Sequence, residues 1–595
     1  MKKYIGLFFA GLMMSSCVDT IIVPYDKTVE EDYWQSKSDV SQMVNGTYQK
    51  MLSTAFIQRL ITWGSFRSDE LTVPSTLSAA STDAGRMGLS QLESGNIETT
   101  NTFSDWSSFY SVINNCNVVL EKAGNVMAND PDYTEGDYKA DCSQMLALRS
   151  LCYFYLVRAF RDVPYSSEAF MMSSQVMDIP QVAPSTVIDN CIKDLEEALP
   201  NALSATAFTD WRNKGYMNRD GICALLADIY LWRASVYHSD ADYQKCIDYC
   251  DQVIASKKAQ NISQNQGDAA LAGYPLVEGK RAFNEIFVYK NSDEAIFELQ
   301  FDENNNSNEG ICNCFEMYSN KSKADDKNPD GYMGATTIYG TVSPTNVYTN
   351  KYDYRMVDNR FQPAANSTAD FYGVRKFVVA NPVSRKADDP STGGFSFVKR
   401  DYAHYNQNFV IYRLTDVMLM KAEALAQLAP ADASEDASDE EKADVKSRQE
   451  SYLHDAFRLV QVVNNRSLYN YQDSLTWAKT TQTKTGLEQL VMQERQRELA
   501  FEGKRWFDLL RYNYRHIQGV DYTQTLYNLN TNGQGLVENS NEFLDILRNV
   551  SSKAVMASKA KNEAYLYLPV LEGQMKINFN LHQNPVYQSK GFVKN

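Results

Sequence analysis

The chain has 595 residues, 44% of them apolar, enough for a large core, and its formal charge of -16 with no basic stripe argues against nucleic acid as a partner. Aromatics are 12% of the chain, mostly its 37 tyrosines, which offer a stacking face and a hydrogen-bonding tip. Five scattered histidines (His238, His404, His454, His516, His582) provide no HExxH motif, and no serine or cysteine triad signature is present.

Lys2 and Lys3 precede an apolar run, Tyr4 to Met14, that ends in Met14-Ser15-Ser16-Cys17. This is the layout of a secretory signal, too short to span a membrane as a helix. Small residues before a cysteine mark a lipoprotein cleavage site, with residues 1–16 removed and Cys17 acylated as the mature first residue. The competing reading is an ordinary signal peptide that happens to contain Cys17. Met14 departs from the usual leucine, and Asp19 is the one acidic export cue between Val18 and Val23.

Apolar spacing predicts helix from Val29 to Ile61, then a long loop from Ser68-Asp69-Glu70-Leu71 through the polar stretch Pro74 to Thr102. Helix resumes at Trp106, and residues 138–163 form another, rich in aromatics. Val187 to Leu199 is amphipathic. Arg219 to Tyr237 and Ala241 to Ala255 form a helix-turn-helix whose Ala224, Ala227, Tyr230 and Leu231 suit the close contact of a tetratricopeptide-type pair. Tyr412 to Leu428 pairs with Ser451 to Asn465, joined by a solvated tip, SEDASDEEKAD. No even 34-residue period runs through the chain, so such repeats are irregular.

Residues 256–405 break the helical pattern. Ala295 to Phe301 alternates like a short strand, and Tyr318, Tyr332, Tyr339 and Tyr348 stand among glycines and polar residues, as sugar-stacking aromatics on loops would. For each, the plainer alternative is a tyrosine packing on its own scaffold. Asp302 to Gly310 lacks the glycine and bidentate Glu of an EF-hand, leaving calcium there without support and no cofactor expected. Nine cysteines follow Cys17. Seven of them (Cys116, Cys142, Cys152, Cys191, Cys223, Cys246, Cys250) fall in predicted helices as small apolar residues, while Cys312 and Cys314 fall in polar loop sequence.

The stretch Leu487 to Tyr512 reads LEQLVMQERQRELAFEGKRWFDLLRY. Its apolar residues recur three and four apart, between carboxylates and guanidiniums at the same spacings: a helix with a charged seam, weakened or kinked at Gly503. Glu494 is placed to reach Arg497, and Glu502 to reach Arg505. A structural spine is the default reading of such a helix, a catalytic carboxylate pair the alternative.

Residues 497–509, RELAFEGKRWFDL, resemble the carboxy-terminal signature of the SusD/RagB family, surface lipoproteins of Bacteroidetes nutrient uptake. Other stretches resemble the same family in the same order. They are the lipoprotein start, Trp106-Ser107-Ser108-Phe109-Tyr110 with Asn114 to Asn117, the block Leu148-Arg149 to Asp162-Val163-Pro164, and the closing Tyr567-Leu568-Pro569 with Asn580 to Tyr587. Arg161 and Val586 stand where the family prefers glycine, and glycine tolerates a positive φ that arginine resists.

The resemblance implies a mainly α, SusD-like fold with four irregular tetratricopeptide-like helix pairs and a loop-rich region with short strands. Residues 17–595 are then one body, with scaffold at about 29–255 and 406–530, an insertion at about 256–405 and a closing segment at 560–595. It further implies a non-catalytic outer-membrane protein facing the exterior, which holds an oligosaccharide, or a peptide as in RagB-like relatives, for a SusC-like TonB-dependent transporter. A helical glycoside hydrolase, with Asp69-Glu70 or Glu494/Glu498 as its carboxylates, and a protein-only repeat scaffold are the less favoured readings.

Overall fold

The computed structural model describes residues 33–74, 84–171, 178–260, 273–302, 304–315, 331–361, 371–385, 387–392, 395–398, 405–533 and 535–587. Cys17 and Tyr318 lie outside them. The architecture is mainly α, and the strands among the described residues pair two by two.

Local chemistry sets where the helices begin. In α1 (Lys37–Met51), Asp39 turns back to accept from the backbone N–H of Ser36 at 2.8 Å. Helix α2 (Thr54–Ile61) runs into a π turn, Thr62–Phe66. Helices α3 (Ala84–Ser94) and α4 (Ser107–Asn129) follow, then α5 (Glu135–Phe160), opened by a reciprocal Thr134/Asp137 box. Pro184 opens α6 (Pro184–Ala198), where its missing N–H costs nothing, and the Asn218 side chain accepts from Gly221 N at the start of α7 (Arg219–Tyr237). Helix α8 (Asp240–Gln260) completes that hairpin. The second half holds β1 (Ala295–Leu299), β2 (Phe409–Arg413), α9 (Leu414–Leu428), α10 (Asp439–Arg466), α11 (Lys484–Glu498), α12 (Arg505–Arg515) and α13 (Asn541–Arg548).

Packing runs stepwise: α1 on α4, α4 on α5, α5 on α6, α7 on α8, α8 on α9, and α9 on both α10 and α11. One apolar core joins residues from Val40 to Leu581. Helix α9 is its axis. All its residues from Leu414 to Gln427 except Lys421 are buried, the pattern of a helix enclosed on every side.

Several expectations need correction. The stretch predicted as loop from Pro74 to Thr102 contains α3, which packs Gly88, Leu89 and Leu92 inward. Tyr412 belongs to β2, and α10 starts at Asp439, capped by Ser438, so the charge run is half helix. Strand β1 is buried on both faces, because Glu298 is held by Asn408 and Asn291 rather than by water. Cys312 and Cys314 are buried in a short helix, Glu309–Phe315, not in a loop. The charged-seam helix is broken outright: α11 ends at Glu498, and Phe501 and Gly503 take φ of 67° and 73° before α12 begins. Arg161 has φ 66° at the end of α5, the backbone conformation that explains the family's glycine.

Candidate functional site

Beneath the site lies an ionic core built by the α11–α12 segment. Glu498 accepts from Arg413 Nη1 at 2.6 Å, from Arg355 Nη1 at 2.9 Å and from Arg466. Glu502 accepts from Arg413 Nε at 2.9 Å and Lys376 Nζ at 2.8 Å, and Glu494 from Arg355 at 2.7 Å, Asn464 at 2.9 Å and Arg497 at 3.0 Å. Burial pushes the Glu498 carboxyl up, but Arg466, Arg413 and Arg355 outweigh it and hold it well below the usual range. On the other face, Glu423 binds Arg511 and Arg515, while Lys504 and Arg495 bring Asp416 down to about 2 against burial. The Glu494–Arg497 pair is present as predicted. Glu502 instead turns to Arg413 and Lys376, leaving Arg505 to grip Asp69 with two bonds of 2.9 Å.

That grip positions a groove of about 590 Å³. Its floor is one face of α11, where Gln489, Met492, Gln493 and Gln496 fall three and four residues apart. One wall is the segment 338–349, and the other is α13 with Asn549 and Val550. Arg505 with Asp69, and Tyr512 of α12, complete the lining. Gln489, Gln493, Thr345, Glu542, Asp545 and Asn549 are exposed, so amides, a hydroxyl and carboxylates face solvent over an apolar base. The volume is in the range of small-ligand sites, and amides that both donate and accept match a hydroxyl-rich ligand.

The segment bearing two of the predicted tyrosines does line this groove, but with their neighbours. Thr336 is tied to Glu70 O at 2.9 Å and Asp69 O at 2.6 Å, which turns Tyr339 inward to donate to Glu70 Oε1 at 3.2 Å. Tyr348 accepts from Asn359 Nδ2 at 2.9 Å. Both rings are 0% exposed and offer no face for stacking, while Ile338, Thr345, Asn346 and Val347 face the groove instead. Tyr332 is half-buried elsewhere, with the Arg86 guanidinium 5.3 Å from its ring centre, so α3 and the insertion meet there. No sequence motif singles out the amides. Their signal is Gln489, Gln493 and Gln496 on one face of the signature helix, set among the more conspicuous charges Glu488, Glu494, Arg495, Arg497 and Glu498.

The carboxylates considered for catalysis are all engaged. Glu494 and Glu498 are in the ionic core, Asp69 is held by Arg505, and Glu70 is fully buried, its carboxyl pushed up by burial to about 8. Asp302 uses its carboxylate to cap a turn, accepting from Asn304 N at 2.8 Å and Asn305 N at 2.6 Å. A second groove, of about 550 Å³, lies between α4 and the carboxy-terminal segment; its lining combines aromatics such as Trp106, Tyr110 and Phe170 with amides such as Asn114, Gln574 and Asn578.

Comparison with known proteins gives one consistent result. Residues 317–587 match the family model described as "SusD family", and residues 23–231 match the one described as "Starch-binding associating with outer membrane". SusD-like protein P38 of Formosa agariphila is 22% identical over 551 residues, covering 86% of this chain and 92% of that protein. A SusD superfamily protein from Bacteroides thetaiotaomicron has the same fold, with a TM-score of 0.59 at 18% identity over 93% of this chain and 99% of that one. A laminarin-binding SusD-like protein superposes with a TM-score of 0.60 at 19% identity over 93% of this chain and 100% of that one. The breadth of these matches agrees with the order of motifs along the chain, and the chain belongs to the SusD family.

Proposed function

We propose that this protein is a non-catalytic, lipid-anchored surface protein that captures an oligosaccharide and passes it to a SusC-like TonB-dependent outer-membrane transporter. The observation that carries the reading is the groove itself: an amide-lined floor on the family's own signature helix, with Tyr512 at one side. Likeness of fold to a laminarin-binding relative supports a glycan as the ligand class. Against hydrolysis, a glycosidase needs two carboxyls flanking the scissile bond, one of them holding a proton. Glu494 and Glu498 are both held ionised by arginines, and Glu70 does not line the groove.

The test is calorimetry on the chain from Val18 onward against oligosaccharides, with product analysis of the same samples. Binding without turnover is expected, and Gln489→Ala and Gln493→Ala should each weaken it by about 2- to 10-fold, the loss of one hydrogen bond of about 0.5–1.5 kcal/mol. Cleaved products would sink the capture reading. Loss of affinity in Tyr332→Ala with both glutamine variants unchanged would move the site to the Arg86–Tyr332 face.

A further inference from the structure

We infer that the groove selects uncharged glycans and rejects chains rich in uronate or sulfate; this rests on the capture reading above. Among the described residues two cations line the groove, Arg497 and Arg505, and each is already engaged. Arg505 grips Asp69 with two bonds of 2.9 Å. Arg497 holds Glu494 at 3.0 Å and donates to Val347 O at 3.4 Å. Both guanidiniums are buried, at 6% and 8% exposure, so an anionic sugar would have to take one from a buried carboxylate, which is costly.

The opposite wall reinforces this. Glu542 and Asp545 stand one helical turn apart on α13, exposed at the rim, and would face any sugar carboxylate laid on the floor. Asp545 is paired at 2.7 Å with Arg548, which does not line the groove. The formal charge of -16 adds a long-range repulsion of polyanions that salt would screen. What remains for recognition is neutral: the exposed Gln489, Gln493, Thr345 and Asn549 with half-buried Asn346, all suited to hydroxyls and acetamido groups.

The experiment titrates the soluble chain, at low and at high salt, with neutral gluco-, manno- and xylo-oligosaccharides and with oligogalacturonate and sulfated galactan oligomers. The expected result is a best ligand from the neutral set, with every anionic oligomer weaker by about tenfold or more, a gap that narrows at high salt. Gln493→Lys, which places a cation at an exposed floor position, should improve binding of anionic oligomers by about tenfold. An anionic best ligand would overturn the inference and leave the capture reading intact. Failure of both sets to bind would overturn the capture reading and this inference with it.

Discussion

Glu498 is a single carboxylate shared by three guanidiniums, from Arg355, Arg413 and Arg466, which bring together the 354–358 turn, the end of β2 and the end of α10. Replacing it by glutamine leaves three buried cations short of a counter-charge, and the expected cost is about 3–5 kcal/mol in denaturant unfolding. The pH dependence follows from the direction of its shift. Its folded value lies well below the ordinary 4.5, so its contribution is complete above pH 4.5 and is lost as the pH falls through the folded value. Glu498→Gln should therefore hurt most at neutral pH and converge on the parent chain in acid; an equal deficit at every pH would refute this. Glu70 works in the opposite sense. Burial pushes its carboxyl from 4.5 to about 8, so the folded state is progressively disfavoured as the pH rises between those values. Glu70→Gln should flatten that part of the stability curve while leaving the acid limb alone, measured by unfolding at a series of pH values.

Between α11 and α12 the chain must reverse its charged seam from one network to another, and this sets what the break requires. Gly503 has φ 73° and approaches Leu60, whose carbonyl oxygen would lie 2.7 Å from an added Cβ, while a Cβ on Gly64 would overlap the carbonyl of Gly503 itself. The π turn after α2 and the break before α12 therefore meet backbone to backbone, and the Gly503 N–H also donates to Ser65 Oγ at 3.1 Å. Gly64→Ala and Gly503→Ala are each expected to cost about 1–3 kcal/mol, with thermal unfolding as the readout, and a neutral result at both would show that the segments separate freely. Arg161 shows how a non-glycine is tolerated at such a φ. Its side chain bonds Asp162 Oδ1 at 2.9 Å, Gln524 O at 2.9 Å and Asp521 O at 2.7 Å, exchanging backbone strain for a buried clasp. Helix positions were legible because apolar spacing reports burial directly. The break at 499–504 was only half legible, since Gly503 signalled a kink but nothing local tells that Phe501 also turns to positive φ. The inward direction of Tyr339 was not legible at all, because it is set by Thr336 bonding to residues 69 and 70, far away in the chain.

At the scale of the molecule, the motifs that are scattered in sequence meet in space. Arg67, just after the π turn, donates to the carbonyls of Leu566 and Tyr565, Leu568 N bonds Ala159 O at 2.9 Å, and Arg161 lies 3.7 Å from Glu563. The closing segment thus fastens onto both the amino-terminal helices and the end of α5, which is why an ordered set of landmarks specified the fold better than any one of them. The groove was less legible, since it needs α11, α13 and the segment 338–349 side by side, and only the assembled fold supplies that. Attachment to the membrane is a separate matter from this body. Among the described residues no helix is long and apolar enough to cross a membrane, and the proposed anchor is the acylated Cys17 at the end of the leader. The capture reading puts the site on α11, α13 and the segment 338–349, so anchor and capture should be separable. Cys17→Ala is expected to shift the protein from the membrane fraction to the soluble one while its affinity for the best oligosaccharide stays within about twofold of the parent. Retention in the membrane fraction would defeat the lipid anchor, whereas release with loss of affinity would mean that the amino-terminal segment takes part in the site.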